Sequence, residues 1–390
     1  MHSVFYFFSK KILSLRFFLM NKMKLSIKKI INCFFIFAIA TSVQCQSQSQ
    51  TQQGVDYLRM MFYNVENYFD TVDDPRTNDN VFLPDGSMRC TQKRYNEKRD
   101  NIFRVIANVG EWDPPALVGL CEIENRDVLE NLIKNTPLAK YPYSIVHKDS
   151  PDQRGIDCAL LYRSDYLKCT GQQFIRVRFS DNRRRTRDIL YATFSTNQGD
   201  TLHVFVNHWP SRLGGQRQSD PNRMLAASYL REKIDSIFTR NSMANIVITG
   251  DFNDGPLDKS LISGLQALSD TAQAKPSALF NLSAYKMNEP IGTLKYQGKW
   301  FVFDQIIVSG GLLRGTLRTE VDNHQIFKAD YLFEPDERYK GVKPFRTYIG
   351  LRYNNGFSDH LPVYLDIHIN NSNQKSKSKR HKQIFHRISL

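Results

Sequence analysis

Four apolar, β-rich runs in this chain each stop at an acid, an amide or a histidine, and that repeated format constrains the fold more than any other feature. Residues 61–63 lead into Asn64, Val65 and Glu66; residues 117–121 lead into Glu122. Residues 204–206 lead into Asn207 and His208, and residues 246–249 into Gly250, Asp251, Phe252 and Asn253. Asp304 stands near the head of a fifth run, 303–308, and Asp359 and His360 directly precede a sixth, 361–364. Apolar runs of this length, rich in Val, Ile and Phe, read as buried strands. Polar residues at strand ends are how a sheet presents a site at its rim. A site drawing on residues 64 to 360 requires one domain that spans them all.

Strands are expected at 57–63, 116–121, 157–162, 189–195, 201–207, 245–250, 303–308 and 361–369. In 201–207 the pattern alternates, with Leu202, Val204 and Val206 facing one way and His203 and Phe205 the other. Helices are expected at 97–109, 127–134 and 221–238. The last is read as starting from Asp220 as N-cap with Pro221 in the first turn. Its Ala227, Leu230, Ile234 and Ile237 share one helix face. This mixture gives an α/β class. No break in composition divides residues 54–370, which read as a single domain. A polar linker, 46–53, precedes it, and a basic Ser/Asn/Lys-rich tail, 371–390, follows it and reads as disordered.

The formal net charge of +14 suggests a polyanionic partner until it is located. Residues 1–45 carry seven Lys or Arg and no acid; residues 371–390 carry six and no acid. Only +1 is left for residues 46–370. A case for nucleic acid therefore rests on local arginine clusters and not on the overall charge.

The first 45 residues read as an export signal, with translation starting at Met20 or Met23. Lys28 and Lys29 precede an apolar stretch, 30–40, that ends in Ala38 and Ala40. That stretch is too short to span a membrane, which takes roughly 20 residues. Cys45, followed by a Gln/Ser run, is a candidate lipid anchor, although Gln44 is an unusual residue before a lipidated cysteine. The expected location is the periplasm, the exterior or the outer membrane, and the expected state is a monomer. Export implies an oxidising compartment. Cys90, Cys121, Cys158 and Cys169 lack metal-type spacing; Cys121 and Cys158 read as buried apolar residues. A Cys158–Cys169 bridge across a hairpin stays open, with nothing else in the sequence to support it.

The polar residues at the run ends suit divalent-metal phosphate chemistry. Carboxylates such as Glu122 and Asp359 are hard oxygen ligands of the kind Mg²⁺ takes. No H-E-x-x-H motif is present, and no G-x-x-x-x-G-K-[ST] loop, so a zinc protease and a P-loop nucleotidase are poor readings.

From residue 59 to residue 367 the chain resembles the endonuclease/exonuclease/phosphatase superfamily. Gly250-Asp251-Phe252-Asn253 and Ser358-Asp359-His360-Leu361-Pro362-Val363 carry the most specific matches. Asn64-Val65-Glu66-Asn67 and His208-Trp209-Pro210-Ser211-Arg212 look closest to a secreted bacterial branch. The resemblance implies a four-layer α/β sandwich: two mixed β-sheets packed face to face with helices outside. It implies Glu122, Asp359, Asn64 and Glu66 around a Mg²⁺ ion, with Mn²⁺ or Ca²⁺ as alternatives. It implies Asp251 activating water, Asn253 and His360 on the phosphate, Asp304 behind His360, and His208 as acid for the leaving oxygen. Arg187 matches an arginine near the phosphate. Cys121 departs from the glutamine that many members carry before the metal glutamate.

Arg183, Arg184 and Arg185 form a run that suits either a solvated loop or phosphate-backbone binding. Arg212, Arg217 and Arg223, near Gly214 and Gly215, suit a forked grip on phosphate. Trp209 reads equally as a stacking platform or as packing. The expected function is hydrolysis of a phosphodiester by metal-activated water, with DNA or RNA as leading substrate and endonuclease action. The competing reading is a lipid head-group, inositol or sugar phosphatase of the sphingomyelinase kind. A non-catalytic binding module requires missing catalytic residues, and none of the core set is missing.

Overall fold

The computed structural model describes residues 57–181, 184–272 and 275–369; the expected export segment, Cys45, the linker, the tail and Arg183 lie outside the described residues. Strand β1 (Tyr57–Tyr68) is buried on both faces for nearly its whole length. Helix α1 (Gln92–Gly110) starts where Thr91 accepts a hydrogen bond from the Arg94 N–H, and it buries Ile102, Val105, Ile106 and Val109 on one face. Strand β2 (Leu117–Ile123) leads into α2 (Arg126–Lys134), capped by Asn125. Then come β3 (Tyr143–His147), β4 (Asp157–Arg163), β5 (Leu167–Ile175), β6 (Ile189–Thr196) and β7 (Thr201–His208). Helix α3 (Gln216–Arg240) crosses to β8 (Asn245–Asp251). Two short strands, β9 (Ala267–Leu268) and β10 (Leu279–Asn281), precede the hairpin of β11 (Leu294–Tyr296) and β12 (Lys299–Phe301). Strand β13 (Asp304–Ser309), helix α4 (Gly310–Arg314), β14 (Leu317–Arg318) and β15 (His324–Ile326) follow. Small hairpins β16 (Phe333–Pro335) with β17 (Val342–Pro344), and β18 (Tyr348–Ile349) with β19 (Arg352–Tyr353), lead to the last strand, β20 (Val363–Ile369).

The first sheet runs β14-β20-β1-β2-β4-β3, with β15 also pairing β20; the second runs β5-β6-β7-β8-β13-β10-β9. Both are mixed: β1–β2 and β7–β8 are parallel, whereas β1–β20 and β8–β13 are antiparallel. Period-two alternation divides each strand of the second sheet between two cores. Leu202, Val204 and Val206 of β7, with Val247 of β8 and Ile306 and Val308 of β13, join the cluster that includes the first sheet. Phe205, Ile246, Ile248 and Ile307 point the other way, against Ala227, Leu230 and Ile234 of α3. Each such side chain contributes roughly 1.5–3 kcal/mol when fully buried. The result is the expected sandwich, two mixed sheets face to face with helices outside.

Three expectations need correction. Helix α3 begins at Gln216, with Gly215 at its N-cap and Pro221 inside it; Asp220 pairs with Arg223 and does not cap. No Cys158–Cys169 bridge exists: all four described cysteines are free. Cys158 opposes Cys121 across the first sheet, while Cys169 lies on β5 in the second. Strands β3 and β5 carry no clear apolar run and were not expected from the sequence pattern.

Candidate active site

The stripes that fill the space between the sheets end in the polar residues. Along β7 the inward positions are Leu202, Val204, Val206 and then His208; along β13 they begin at Asp304 and continue through Ile306 and Val308. His208 is in register with Asp251, and Asp251 with Asp304, so the three stand side by side across β7, β8 and β13. In the first sheet Asn64 is in register with Cys121, which brings Asn64 and Glu122 to the same rim. Strand β20 runs antiparallel to β1, so the loop ahead of it delivers Asp359 and His360 to that rim as well. The Asn64 amide donates to Asp251 Oδ2 at 3.1 Å and to Glu122 Oε1 at 3.4 Å, tying the two sheets together.

Local backbone strain aims these groups. Glu66, Asn67, Glu122 and Asn253 all have positive φ, from 52° to 63°, which side chains other than glycine's seldom adopt. The pairing of β1 with β2 and of β2 with β4 shifts register around the first three of these. Such bulges turn a side chain off the pleat and cluster beside functional sites. The strained turns are held by hydrogen bonds: Asn67 N–H to Glu122 Oε2 at 2.9 Å, Glu66 N–H to Asn64 Oδ1 at 3.0 Å, and Asn253 N–H to Asp251 Oδ1 at 2.9 Å. Gly250 has no alternative, because a Cβ there would meet the Asn207 carbonyl oxygen at 2.3 Å.

His360 Nδ1 lies 2.7 Å from Asp304 Oδ2, and its Nε2 lies 3.8 Å from Asp251 Oδ2. Burial alone would lower the pKa of His360, but the Asp304 and Asp251 carboxylates override it and hold the ring well above the usual range. His208 Nε2 lies 3.6 Å from Asp251 and 3.8 Å from Glu122. Burial, helped by Arg187 and Arg154, holds His208 well below the usual range, so it is neutral near pH 7. The two imidazoles that flank Asp251 therefore carry opposite charge states. Burial raises Asp251 to about 6 and also raises Glu122, with Asp359 adding to the shift in Glu122. Glu66 rises to about 7 through burial and the nearby Asp359.

Glu66 is held at both oxygens, by Arg346 at 2.9 and 3.0 Å and by the Thr347 N–H at 2.7 Å. Arg346 also reaches Asp359 Oδ2 at 3.1 Å. Beneath them the fully buried Lys98 donates to Thr347 Oγ1 and the Phe357 carbonyl, and burial lowers it to about 8. Arg346, Thr347 and Lys98 escape sequence reasoning because none sits at the end of an apolar run. Among the described residues, Asp251, Asp304 and His360 have ligand atoms within 4.8 Å of one another, but there the imidazole is already charged between two carboxylates. The oxygens of Glu122, Asp359 and Asn64 suit a hard cation better.

The arginines divide. Arg187 is buried, with hydrogen bonds to the His208 carbonyl at 3.1 Å and the Trp209 carbonyl at 2.6 Å and an ion pair to Asp152 at 3.2 Å. Arg212 binds the Asn253 carbonyl, Asp254 and Asp258, and Arg223 is fully buried against Asp254 and Asp220. In these contacts all three brace the loop after β7 and grip protein groups, contrary to the expectation for Arg212 and Arg223. Arg217, Arg184 and Arg185 are exposed. Trp209 is 1% exposed and packs edge-on against Phe252, so it belongs to the core and is no stacking platform. Next to Asn253 a pocket of about 700 Å³ opens between the loop after β7 and the β11–β12 hairpin. Leu294, Tyr296, Phe301 and Phe303 form its apolar wall, with Arg212 and Lys299 among its polar lining.

A model of the Endonuclease/Exonuclease/phosphatase family matches residues 59–369. No curated protein matches the chain by sequence. Among solved structures, an endonuclease/exonuclease/phosphatase family protein from Bacteroides thetaiotaomicron is 15% identical, with a TM-score of 0.50 over 81% of this chain and 99% of that one. A mannosyl-6-phosphatase from Bacteroides thetaiotaomicron VPI-5482 is 16% identical, with a TM-score of 0.50 over 80% and 99%. Humanized TDP2 from D. rerio is 15% identical, with a TM-score of 0.49 over 80% and 99%. The two structures at 0.50, at this identity, share the fold.

Proposed function

The chain belongs to the Endonuclease/Exonuclease/phosphatase family, and from that premise we propose that it is an exported, Mg²⁺-dependent phosphoesterase acting on a compact phosphoester. Family membership makes it a metal-dependent hydrolase of phosphoric esters. The observation that carries the finer reading is the pocket of about 700 Å³ beside Asn253, walled by Tyr296, Phe301 and Phe303. A volume of that order seats one sugar- or nucleoside-sized unit. Export rests on residues 30–40, and a lipid anchor at Cys45 would tether the enzyme to a membrane. Among the described residues, no helix is long and apolar enough to cross one.

The donor set fits a divalent cation: Glu122 is raised by burial and by the nearby Asp359, as a carboxyl short of positive charge must be. Glu122, Asp359 and Asn64 would hold the ion, with Glu66 fastened behind them by Arg346 and Thr347. When bound, the cation supplies charge that offsets the phosphate's and eases the loss of a proton from water. Asp251 would accept a proton from the attacking water. His360, kept charged by Asp304, and the Asn253 amide donate to phosphate oxygens, where fixed donors stabilise charge that grows in the transition state. His208 lies beside Asp251 and Glu122, its Nε2 3.6 and 3.8 Å from their oxygens, and burial favours its neutral form. Arg187 positions the His208 and Trp209 backbone.

The nuclease reading keeps one observation in its favour, the exposed Arg154, Arg184, Arg185 and Arg217, which suit a phosphate backbone. The deciding experiment incubates the purified protein with a panel of sugar and nucleoside phosphoesters and with plasmid DNA, each with Mg²⁺ or EDTA, beside His360→Ala. The expected outcome is Mg²⁺-dependent hydrolysis of a compact ester, lost in the variant, with the plasmid intact. Nicking of the plasmid at equal or higher efficiency overturns the compact-substrate reading in favour of a nuclease. Silence on every substrate restores the binding module.

A further inference from the structure

A second cluster of ligating groups lies outside this site. His147 ends β3 and Asp157 opens β4 beside it; Asp149 is two residues beyond His147. Their ligand atoms all lie within 4.8 Å of one another. The His147 side chain is 1% exposed and that of Asp157 3%. His147 Nε2 faces Asp157 Oδ2 at 3.3 Å, an ion-pair contact outside good hydrogen-bond geometry, so this buried ring nitrogen is incompletely satisfied. Such atoms are uncommon because each forfeits the solvation it had in water. The other Asp157 oxygen accepts the Ser150 N–H at 2.7 Å, which leaves Oδ2 directed at the imidazole. Asp149 is exposed and has only a long ion pair, 3.6 Å, with Arg76.

We propose that His147, Asp149 and Asp157 form a second, transition-metal site, distinct from the phosphoesterase centre, that fastens the loop of residues 148–156. One imidazole nitrogen and two carboxylate oxygens form a mixed set that Zn²⁺ or Mn²⁺ accepts, whereas Mg²⁺ prefers oxygen alone. The position gives the ion a purpose. Asp157 is in register with Ile123, the residue after Glu122. The loop it closes carries Asp152, which holds Arg187, and Arg154, whose charge reaches Glu122 and His208. An ion at its base orders the loop that carries these two residues through protein contacts alone.

The test is Zn²⁺ uptake by the metal-stripped protein in excess Mg²⁺, which keeps the phosphoesterase centre occupied. One equivalent of Zn²⁺ should bind to wild type and to Glu122→Ala. In His147→Ala its affinity should fall by more than about 10-fold, since losing even an outer-shell partner of a metal ligand costs that much. X-ray absorption on the Zn²⁺-loaded wild type should show one imidazole nitrogen among oxygen ligands, a result independent of how the variant folds. Uptake unchanged in His147→Ala, no uptake by wild type, or a Zn²⁺ shell without imidazole each overturns the proposal. Loss of uptake in Glu122→Ala alone assigns the ion to the phosphoesterase centre and overturns it too.

Discussion

Replacing Asp304 with Asn isolates the one charge that keeps His360 an imidazolium. The side chain keeps its shape and a hydrogen-bonding oxygen, so the change is mainly electrostatic. Asp304 is fully buried and sits 2.7 Å from His360 Nδ1. With charge centres roughly 4 Å apart and an effective dielectric of about 20, the pair is worth about 4 kcal/mol. A free energy of that size is a factor of about 10³ in the population of the charged ring. Loss of one preorganised donor in comparable sites costs about 10² to 10³ in rate, and the two figures agree. Without Asp304, burial controls the ring and its pKa falls, so the variant should lose activity as pH rises through a value lower than in wild type. The assay is the pH profile of kcat/KM on an activated phosphoester at saturating Mg²⁺, with urea unfolding to confirm the fold. Asp304→Asn should be slower by about 10² to 10³ near pH 8 and should regain part of the loss at acid pH. His360→Ala added to it should cost little more, because the two residues act as one unit. A variant within twofold of wild type at every pH refutes the reasoning.

Other consequences are equally direct. Glu66 and Asp251 titrate at about 7 and about 6 in the fold and lower in the unfolded chain, so the native state holds more protons in between. The metal-stripped protein should therefore lose stability as pH rises through 6 and 7, while the Mg²⁺-induced rise in Tm grows; thermal melts at pH 5.5 and 8 with EDTA or Mg²⁺ check both signs. Lys98→Met removes a donor from Thr347 Oγ1 and from the Phe357 carbonyl, which keeps its bond from the Thr347 hydroxyl, and strips Glu66 of a neighbouring cation. Urea unfolding should register a loss of about 1–3 kcal/mol, as for buried polar groups deprived of a hydrogen-bond partner. Arg187→Lys cannot fork between two carbonyls and Asp152, and should cost about 2–3 kcal/mol of stability with KM little changed. Arg154→Ala should do the reverse, raising KM and flattening its salt dependence while stability stays within about 0.5 kcal/mol.

The sequence pattern locates the strands that matter most because those strands are buried on both faces. Continuous runs such as 246–249 admit no competing solution, and their polar ends mark the rim. Strand β5 was invisible for the opposite reason: Lys168, Thr170, Gln172 and Gln173 are exposed at a sheet edge, so no apolar signal survives. The start of α3 was misplaced because Pro221 usually opens a helix, whereas here five residues precede it and Arg223 ties the first turn to Gln216 and Asp220. Arginines near His208 read as phosphate ligands since a one-dimensional pattern cannot reveal Asp254 and Asp258, some 40 residues away, already holding them. Lys98 and Arg346 were silent for the same reason. Their chemistry depends on Glu66, which only the folded sheet brings near them.

The first and last described strands lie side by side, and the Ser358 hydroxyl donates to the Asn64 carbonyl across 294 residues of chain. No amino-terminal fragment, however long, holds a complete site until Asp359 and His360 have been made and β20 has docked beside β1. Under the proposed function, a chain that stops short of β20 is inert toward phosphoesters, and competence waits on the closing strand.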